Sequence, residues 1–300
     1  MKKISFILST ILIAIMAFGL RAQADSTDFY INNPNISHSQ QGQTLRFVQL
    51  TDVHIFSEGD VKQTPLETNT AKLQDAVNQV NQMKDIDFVI FSGDNIHRRR
   101  MKDLRIFAQI ASNLKFPWYV GLGNHDVGIN TEVTKDKFYD TIKSYNINQT
   151  NTLPYYSFSP KTGYFVVVMD GVIDSKFMGY GYYTKEELNW LDSQLKTHLT
   201  SKVIIVQHFP LITSVDDIKD GNSSDIVNCK EYLNLLAKYN NIIMIASGHI
   251  HTNRLTQAGN VLHVSTSAVF KRKFSLITIS DKDNIIKINV KHLRTNPPIQ

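Results

Sequence analysis

Apolar residues along this chain fall into two alternating textures. Short, nearly unbroken runs at Leu45–Thr51, Phe88–Ser92, Trp118–Leu122, Tyr164–Met169, Val203–Gln207 and Ile242–Ala246 have the length of strands. Between them the spacing changes to that of a helix. Leu73, Ala76, Val77 and Val80 recur at i, i+3, i+4 and i+7 within Asn69–Lys84, so they gather on one face while Lys72, Gln74, Asp75 and Gln79 fall elsewhere. Helices are also predicted at Met101–Asn113 and Lys230–Tyr239. Thr184-Lys185-Glu186-Glu187 reads as a capping box opening a helix whose buried stripe is Leu188, Leu191 and Leu195. Beyond Ser247 the runs at Val261–Ser265, Ser275–Ser280 and Ile285–Lys291 read as antiparallel strands added to an α/β body. Residues 25–44, polar and carrying Pro34, form a loose lead-in, and 45–300 a single domain without repeat or linker. Asn130–Asn151 and Asp170–Tyr183 read as loops, the segments that set substrate choice.

The N-terminus has a pattern of its own. Met1-Lys2-Lys3, the apolar run Ile4–Leu20 and Ala22-Gln23-Ala24 follow the order of a secretory signal peptide, residues 1–24, with cleavage after Ala24. The competing reading is an uncleaved anchor, since a bilayer span takes roughly 17–25 residues. With cleavage, the protein is exported to a secreted or periplasmic location and keeps no membrane segment. The formal charge is +5; Lys2, Lys3 and Arg21 supply three of it, leaving +2 on the mature chain. That balance argues against specific nucleic-acid binding, and with it against a nuclease. Cys229 is the one cysteine, so an intrachain disulfide is excluded and the thiol reads as a buried spacer.

Five short polar clusters each follow a strand-like run: Asp52-Val53-His54, Gly93-Asp94-Asn95, Gly123-Asn124-His125-Asp126, Gln207-His208 and Gly248-His249-Ile250-His251. In α/β sheets functional residues collect at the carboxyl ends of strands, so these clusters are expected to converge. Asp52 with His54, and His249 with His251, are two apart, which on extended backbone turns both side chains to one side to clasp a metal. The glycines mark tight turns, where a larger residue would crowd the ions. Any cluster alone is weak, because a lone His is more often a core or surface residue than a ligand. Five of the ten histidines fall in them, however, alongside Asp52, Asp94 and Asn124, which makes coincidence a poor account.

The order D-x-H, G-D, G-N-H-D, a lone H after a strand, and G-H-x-H resembles the signature of the calcineurin-like metallophosphoesterases, over roughly Leu45 to the C-terminus. Leu50-Thr51-Asp52-Val53-His54, and the stretch from Gly179-Tyr180-Gly181 to Leu188-Asn189-Trp190-Leu191, are most similar to the bacterial cyclic-nucleotide-phosphodiesterase-like branch. The resemblance implies an α/β (α+β) fold, a four-layer αββα sandwich of two mixed sheets flanked by helices, with a dinuclear site at the strand C-terminal edge. It further implies that Asp52, His54 and His251 hold one ion, Asn124, His208 and His249 the other, and Asp94 both. His125 then lies beside the phosphate as a catalytic residue, with Asp126 orienting it. Two cations about 3.5–4 Å apart can share a hydroxide that attacks phosphorus. Imidazole, carboxylate and amide ligands without thiolate suit two divalent or mixed-valence ions of Mn, Fe, Zn or Co. Purple acid phosphatases of the superfamily carry Tyr three residues past the bridging Asp; His97 stands there in this chain, which argues against their tyrosinate–iron chemistry.

Weaker candidates surround this set. His97 and Arg98 are close enough in sequence to Asp94 to reach substrate, although a run of three arginines is more often solvated. Asn253 could line the pocket or satisfy a turn. The leading expectation is hydrolysis of small phosphate mono- or diesters, such as nucleotides. The alternative is a non-catalytic binding module on the same fold, which would have no evident need of Asp94, Asn124 and His125 together.

Overall fold

The computed structural model describes residues 26–32, 43–60, 67–175, 179–214, 216–217, 225–282 and 285–296. The predicted signal peptide and most of the lead-in lie outside them. Among the described residues no helix is long and apolar enough to cross a membrane.

Two six-stranded mixed sheets form the middle of the molecule. The first takes, in order across the sheet, β1 (Ser26–Asn32), β12 (Ile285–Arg294), β11 (Lys273–Lys282), β2 (Thr44–Leu50), β3 (Phe88–Ser92) and β4 (Trp118–Gly121). The second takes β5 (Tyr156–Phe158), β6 (Tyr164–Val168), β7 (Lys202–Val206), β8 (Ile242–Ser247), β10 (Val261–Ser265) and β9 (Arg254–Ala258). Strands β2, β3 and β4 pair in parallel, as do β6, β7, β8 and β10. Parallel pairing requires crossovers, which are helices here except between β8 and β10, where β9 makes the connection. α2 (Asn69–Gln82) and α3 (Met101–Ala111) serve the first sheet, and α5 (Lys185–Thr197) and α6 (Cys229–Leu236) the second. α1 (Ser57–Asp60) and α4 (Lys135–Tyr145) complete the helices, α4 packing on α3. The layers share one hydrophobic cluster, to which α2 contributes the predicted Leu73, Ala76, Val77 and Val80.

Several expectations need correction. Ser26–Asn32, within the supposed loose lead-in, is an edge strand paired antiparallel with β12 and anchored by buried Ile31. Much of Asn130–Asn151 is the helix α4, opened by Thr134, whose side chain accepts from Lys137 N. β10 is not part of an antiparallel addition only, for it pairs in parallel with β8 and antiparallel with β9. The capping box is half made. Thr184 accepts from Glu187 N at 3.1 Å, but the Glu187 carboxylate crosses to Asp170 N at 2.8 Å instead of returning to the cap. Burial, then the charge of Asp170, pushes the Glu187 carboxyl up to about 8.

Polar contacts stitch the two sheets. Gln49 on β2, fully buried, donates to Ser92 Oγ and to Ser247 O of the other sheet, both at 2.9 Å, and accepts from Thr266 Oγ1 at 2.8 Å. Lys202 on β7 meets Asp281 on β11 at 2.9 Å, with both side chains almost wholly buried. Breaking a buried pair strands a charge and typically costs about 3–5 kcal/mol, whereas replacing both partners by apolar groups is close to neutral. Asp281→Ala is therefore expected to lose about that much stability in urea denaturation, and Lys202→Met with Asp281→Leu to recover most of it.

Candidate metal centre

All five polar clusters leave the carboxyl ends of parallel strands. Asp52 and His54 follow β2, Asp94 follows β3, Asn124 and His125 follow β4, His208 follows β7, and His249 and His251 follow β8. The site thus lies where the edges of both sheets meet. Among the described residues three groups of side chains have ligand atoms within 4.8 Å of one another: Asp52, His54, Asp94 and His251; Asp94, His208 and His249; and His54, His97 and His125. Asp94 belongs to the first two, and His54 joins the third to the first. Its Oδ2 stands 3.5 Å from His54 Nε2 and 3.2 Å from His208 Nε2, while Asp52 Oδ1 is 3.0 Å from His251 Nε2.

Buried polar atoms normally find partners. Here Asp52 Oδ1, His54 Nε2, His208 Nε2 and Asn124 Oδ1 are all buried without a hydrogen bond. Two of these are a carboxylate and an amide oxygen, which only accept, and two are imidazole nitrogens able to offer lone pairs, a donor set that fits divalent cations.

The backbone differs from the extended form expected for the paired ligands. Asp52, His54, Asp94, His249 and His251 all have φ between 51° and 68°, the left-handed region. The pairs converge because left-handed residues flank Val53 and Ile250, not because a strand alternates. Such backbone costs about 1–3 kcal/mol per residue and persists only where the surroundings over-determine it. They do so here. Asp52 N donates to Gly93 O at 3.0 Å, His54 N to Asp94 O at 2.9 Å, and His249 N to Asp52 Oδ2 at 3.0 Å. Thr51 Oγ1 holds the same Oδ2 at 2.8 Å. The glycines make room for the ligands rather than for the ions. A Cβ at Gly248 would stand 2.0 Å from Thr51 Oγ1 and 2.6 Å from Asp52 Oδ2, and one at Gly93, whose φ is +100°, would stand 2.5 Å from His208 Nδ1.

Electrostatics divides the histidines. Burial pulls His54 down to about 4 against the pull of Asp94 and Asp52, and burial with the charge of His208 does the same to His249. His208 goes the other way. Burial lowers it, but the Asp94 carboxylate outweighs that and raises it to about 9. Burial alone would raise Asp94, and His208, then His54 and His125, hold it well below the usual carboxylate range.

His125 sits against this cluster as expected, its backbone N donating to Asp94 Oδ1 at 2.8 Å. Asp126 does not orient it. The Asp126 carboxylate accepts from Ile96 N, Gly123 N and Asn95 Nδ2 at 2.8–3.0 Å, clipping the Gly123–Asp126 turn to the loop after β3. Burial and then Asp94 push that carboxyl up to about 7. The partner of His125 Nδ1 is His97 O at 2.9 Å, and the two rings stack with centroids 5.1 Å apart. His97 Nδ1 also lies 3.3 Å from His54 Nδ1, so His97 is brought to the site.

The three arginines separate. Arg98 lies over Phe56 with its guanidinium carbon 4.6 Å from the ring centroid, Arg99 Nη2 donates to Asn124 O at 2.8 Å, and Arg100 pairs with Glu58. Asn253 Oδ1 accepts from Ser267 N at 2.7 Å, a contact fourteen residues away in sequence that ties the segment after His251 to the one before Val269. Sequence reasoning missed Thr51, Phe270 and Asp225. Thr51 adjoined a named ligand. Phe270, 4.8 Å from the His251 ring, and Asp225, whose Oδ1 is 3.7 Å from His249 Nε2, carried no spacing signal because they reach the site from other segments.

Comparison with known proteins matches this geometry. The family model of calcineurin-like phosphoesterases matches residues 45–253. A probable cyclic nucleotide phosphodiesterase of Xenorhabdus bovienii is 26% identical over 231 residues, 75% of this chain and 86% of that one. A probable glycerophosphodiester phosphodiesterase of Arcobacter nitrofigilis is 29% identical over 207 residues, 68% and 71% of the two chains. A dimetal phosphatase from Danio rerio shares the fold with a TM-score of 0.60 at 16% identity, over 85% of this chain and 99% of that one. The chain belongs to the calcineurin-like phosphoesterase family, and is a metal-binding hydrolase of phosphoric ester bonds.

Gly248→Ala tests the packing of the ligands. The added methyl must displace Thr51 and Asp52, so mass spectrometry of metals after reconstitution is expected to find at least half of the bound metal lost in a chain that is still folded by circular dichroism.

Proposed function

We propose that this protein hydrolyses small phosphodiesters, with two ions held as the two groups that share Asp94 suggest. Asp52, His54 and His251 would hold one ion, Asn124, His208 and His249 the other, and Asp94 both. The sharing of Asp94 by two groups with orphaned buried ligand atoms carries this reading. When bound, divalent cations supply Lewis acidity and lower the pKa of water to near neutrality. Mn, Fe, Zn or Co suits the imidazole, carboxylate and amide set.

The residues of the chain do the rest. The Asp94 carboxylate offsets the repulsion of two like charges. Its Oδ1 also fixes the backbone of His125 through the 2.8 Å bond from that N–H. His97 O accepts from His125 Nδ1, so that nitrogen carries its proton and the proton exchanged with substrate is carried at Nε2. A histidine so oriented can stabilise developing charge on phosphate and protonate a leaving alcohol. The diester preference is supported by the phosphodiesterase names of the two relatives, and the monoester reading rests on the family alone. Export is part of the same proposal, supported by the Met1–Ala24 pattern; intact mass of the secreted protein should begin at Asp25.

The decisive assay compares bis-p-nitrophenyl phosphate, p-nitrophenyl phosphate and cyclic AMP after chelation and after Mn²⁺ is restored. Diester hydrolysis that returns only with metal is expected. Two bound ions without turnover of any ester would favour a binding module instead. His125→Ala is expected to retain both ions while kcat falls about 10²–10⁴-fold, the usual reach of general acid–base catalysis. Loss of metal in that variant would show that His125 is a ligand.

A further inference from the structure

A cleft of about 590 Å³ opens beside the metal centre, with His125 and His97 in one wall and the Arg98–Arg100 run in another. A second hollow, about 480 Å³ between α2 and α3, is lined by no titratable side chain. The first therefore has a chemistry to explain.

Its charges are unequally committed. Arg100 is paired with Glu58, and Arg99 is turned to the carbonyl of Asn124. Glu132, the one acidic residue in the lining, accepts from Met101 N at 3.0 Å and so faces the start of α3. Arg98 differs. It is exposed, and among the described residues its guanidinium has no carboxylate partner; its contact is the face of Phe56. A guanidinium held over a ring by cation–π attraction keeps its N–H groups, whose fork matches two phosphate oxygens, uncommitted to any carboxylate. Phe56 in turn packs on His97, with centroids 5.1 Å apart, and His97 on His125. Arg98 thus lies at the far end of a row of ring contacts that begins at the proposed proton donor.

We propose that this cleft is a subsite for a second phosphate carried by the leaving half of the diester, gripped by Arg98. The inference rests on the reading of His125 as the residue facing the leaving group. It goes beyond that reading by naming the substrate class: linear diesters whose alcohol bears its own phosphate, in preference to cyclic nucleotides, whose single phosphate has no second anion to place there. Charge-assisted, bidentate contacts of this kind discriminate strongly.

The test compares the dinucleotides TpT and pTpT, which differ by one terminal phosphate, in the Mn²⁺-loaded protein and by calorimetry in the chelated protein, where no turnover intervenes. KM for pTpT at least tenfold below that for TpT is expected, with a matching difference in Kd. In Arg98→Gln that ratio should fall below three, the pTpT values moving much further than those for TpT. Arg98→Lys, which keeps the charge but loses the fork, should lie between. Equal KM and Kd for the two dinucleotides in the parent protein, or a ratio unchanged in Arg98→Gln, would overturn the proposal. Failure to hydrolyse any ester would count against the catalytic reading, and the calorimetric ratio would still decide the subsite.

Discussion

A single buried carboxylate, Asp94, stands between imidazoles from two different sheets, and most of the architecture around it serves to keep it there. His54 reaches it from the β2 edge and His208 from the β7 edge, at 3.5 and 3.2 Å from the same oxygen, while its other oxygen takes the His125 amide. An unpaired carboxylate at this depth would be costly; without metal the raised His208 offsets that charge, and a bound cation would replace its Nε2 proton and take over the same role.

That arrangement explains why the local backbone is so unusual. Five of the residues that converge on Asp94 and Asp52, counting both, are left-handed. At about 1–3 kcal/mol each, their combined strain rivals the whole net stability of a domain, about 5–15 kcal/mol. It is tolerated because cross-sheet hydrogen bonds through Gln49 and Asp52, with Thr51 holding the Asp52 carboxylate, fix the chain where it leaves the strands. Bound cations would add to that hold, since ligands that favour the folded chain stabilise it by mass action.

The sequence made much of this legible where burial dictates residue type. Phe88–Ser92 was readable to the residue because strands in the interior must be apolar along nearly their whole length. The ligand clusters stood out because each broke such a run with residues that packing alone does not demand. α4 was illegible, since only Phe138, Tyr139 and Ile142 are buried on an otherwise polar helix, and β1 announced itself only by Ile31. The conformation of Asp52 and His54 could not be read at all, because it depends on hydrogen bonds from the β3 exit loop, about forty residues away in sequence. Asp126 was misassigned for a similar reason: its neighbour in sequence is His125, but its partners are the amides of Ile96 and Gly123.

The family assignment and the geometry agree on a phosphoesterase site, and the central element of the proposal is the sharing of Asp94 by two ions. Titration of the metal-free protein with Mn²⁺, followed by electron paramagnetic resonance, addresses that element most directly. Two ions per chain with the spectrum of an exchange-coupled pair are what a bridging carboxylate requires. A single site, or two sites that remain magnetically independent at full loading, would contradict it.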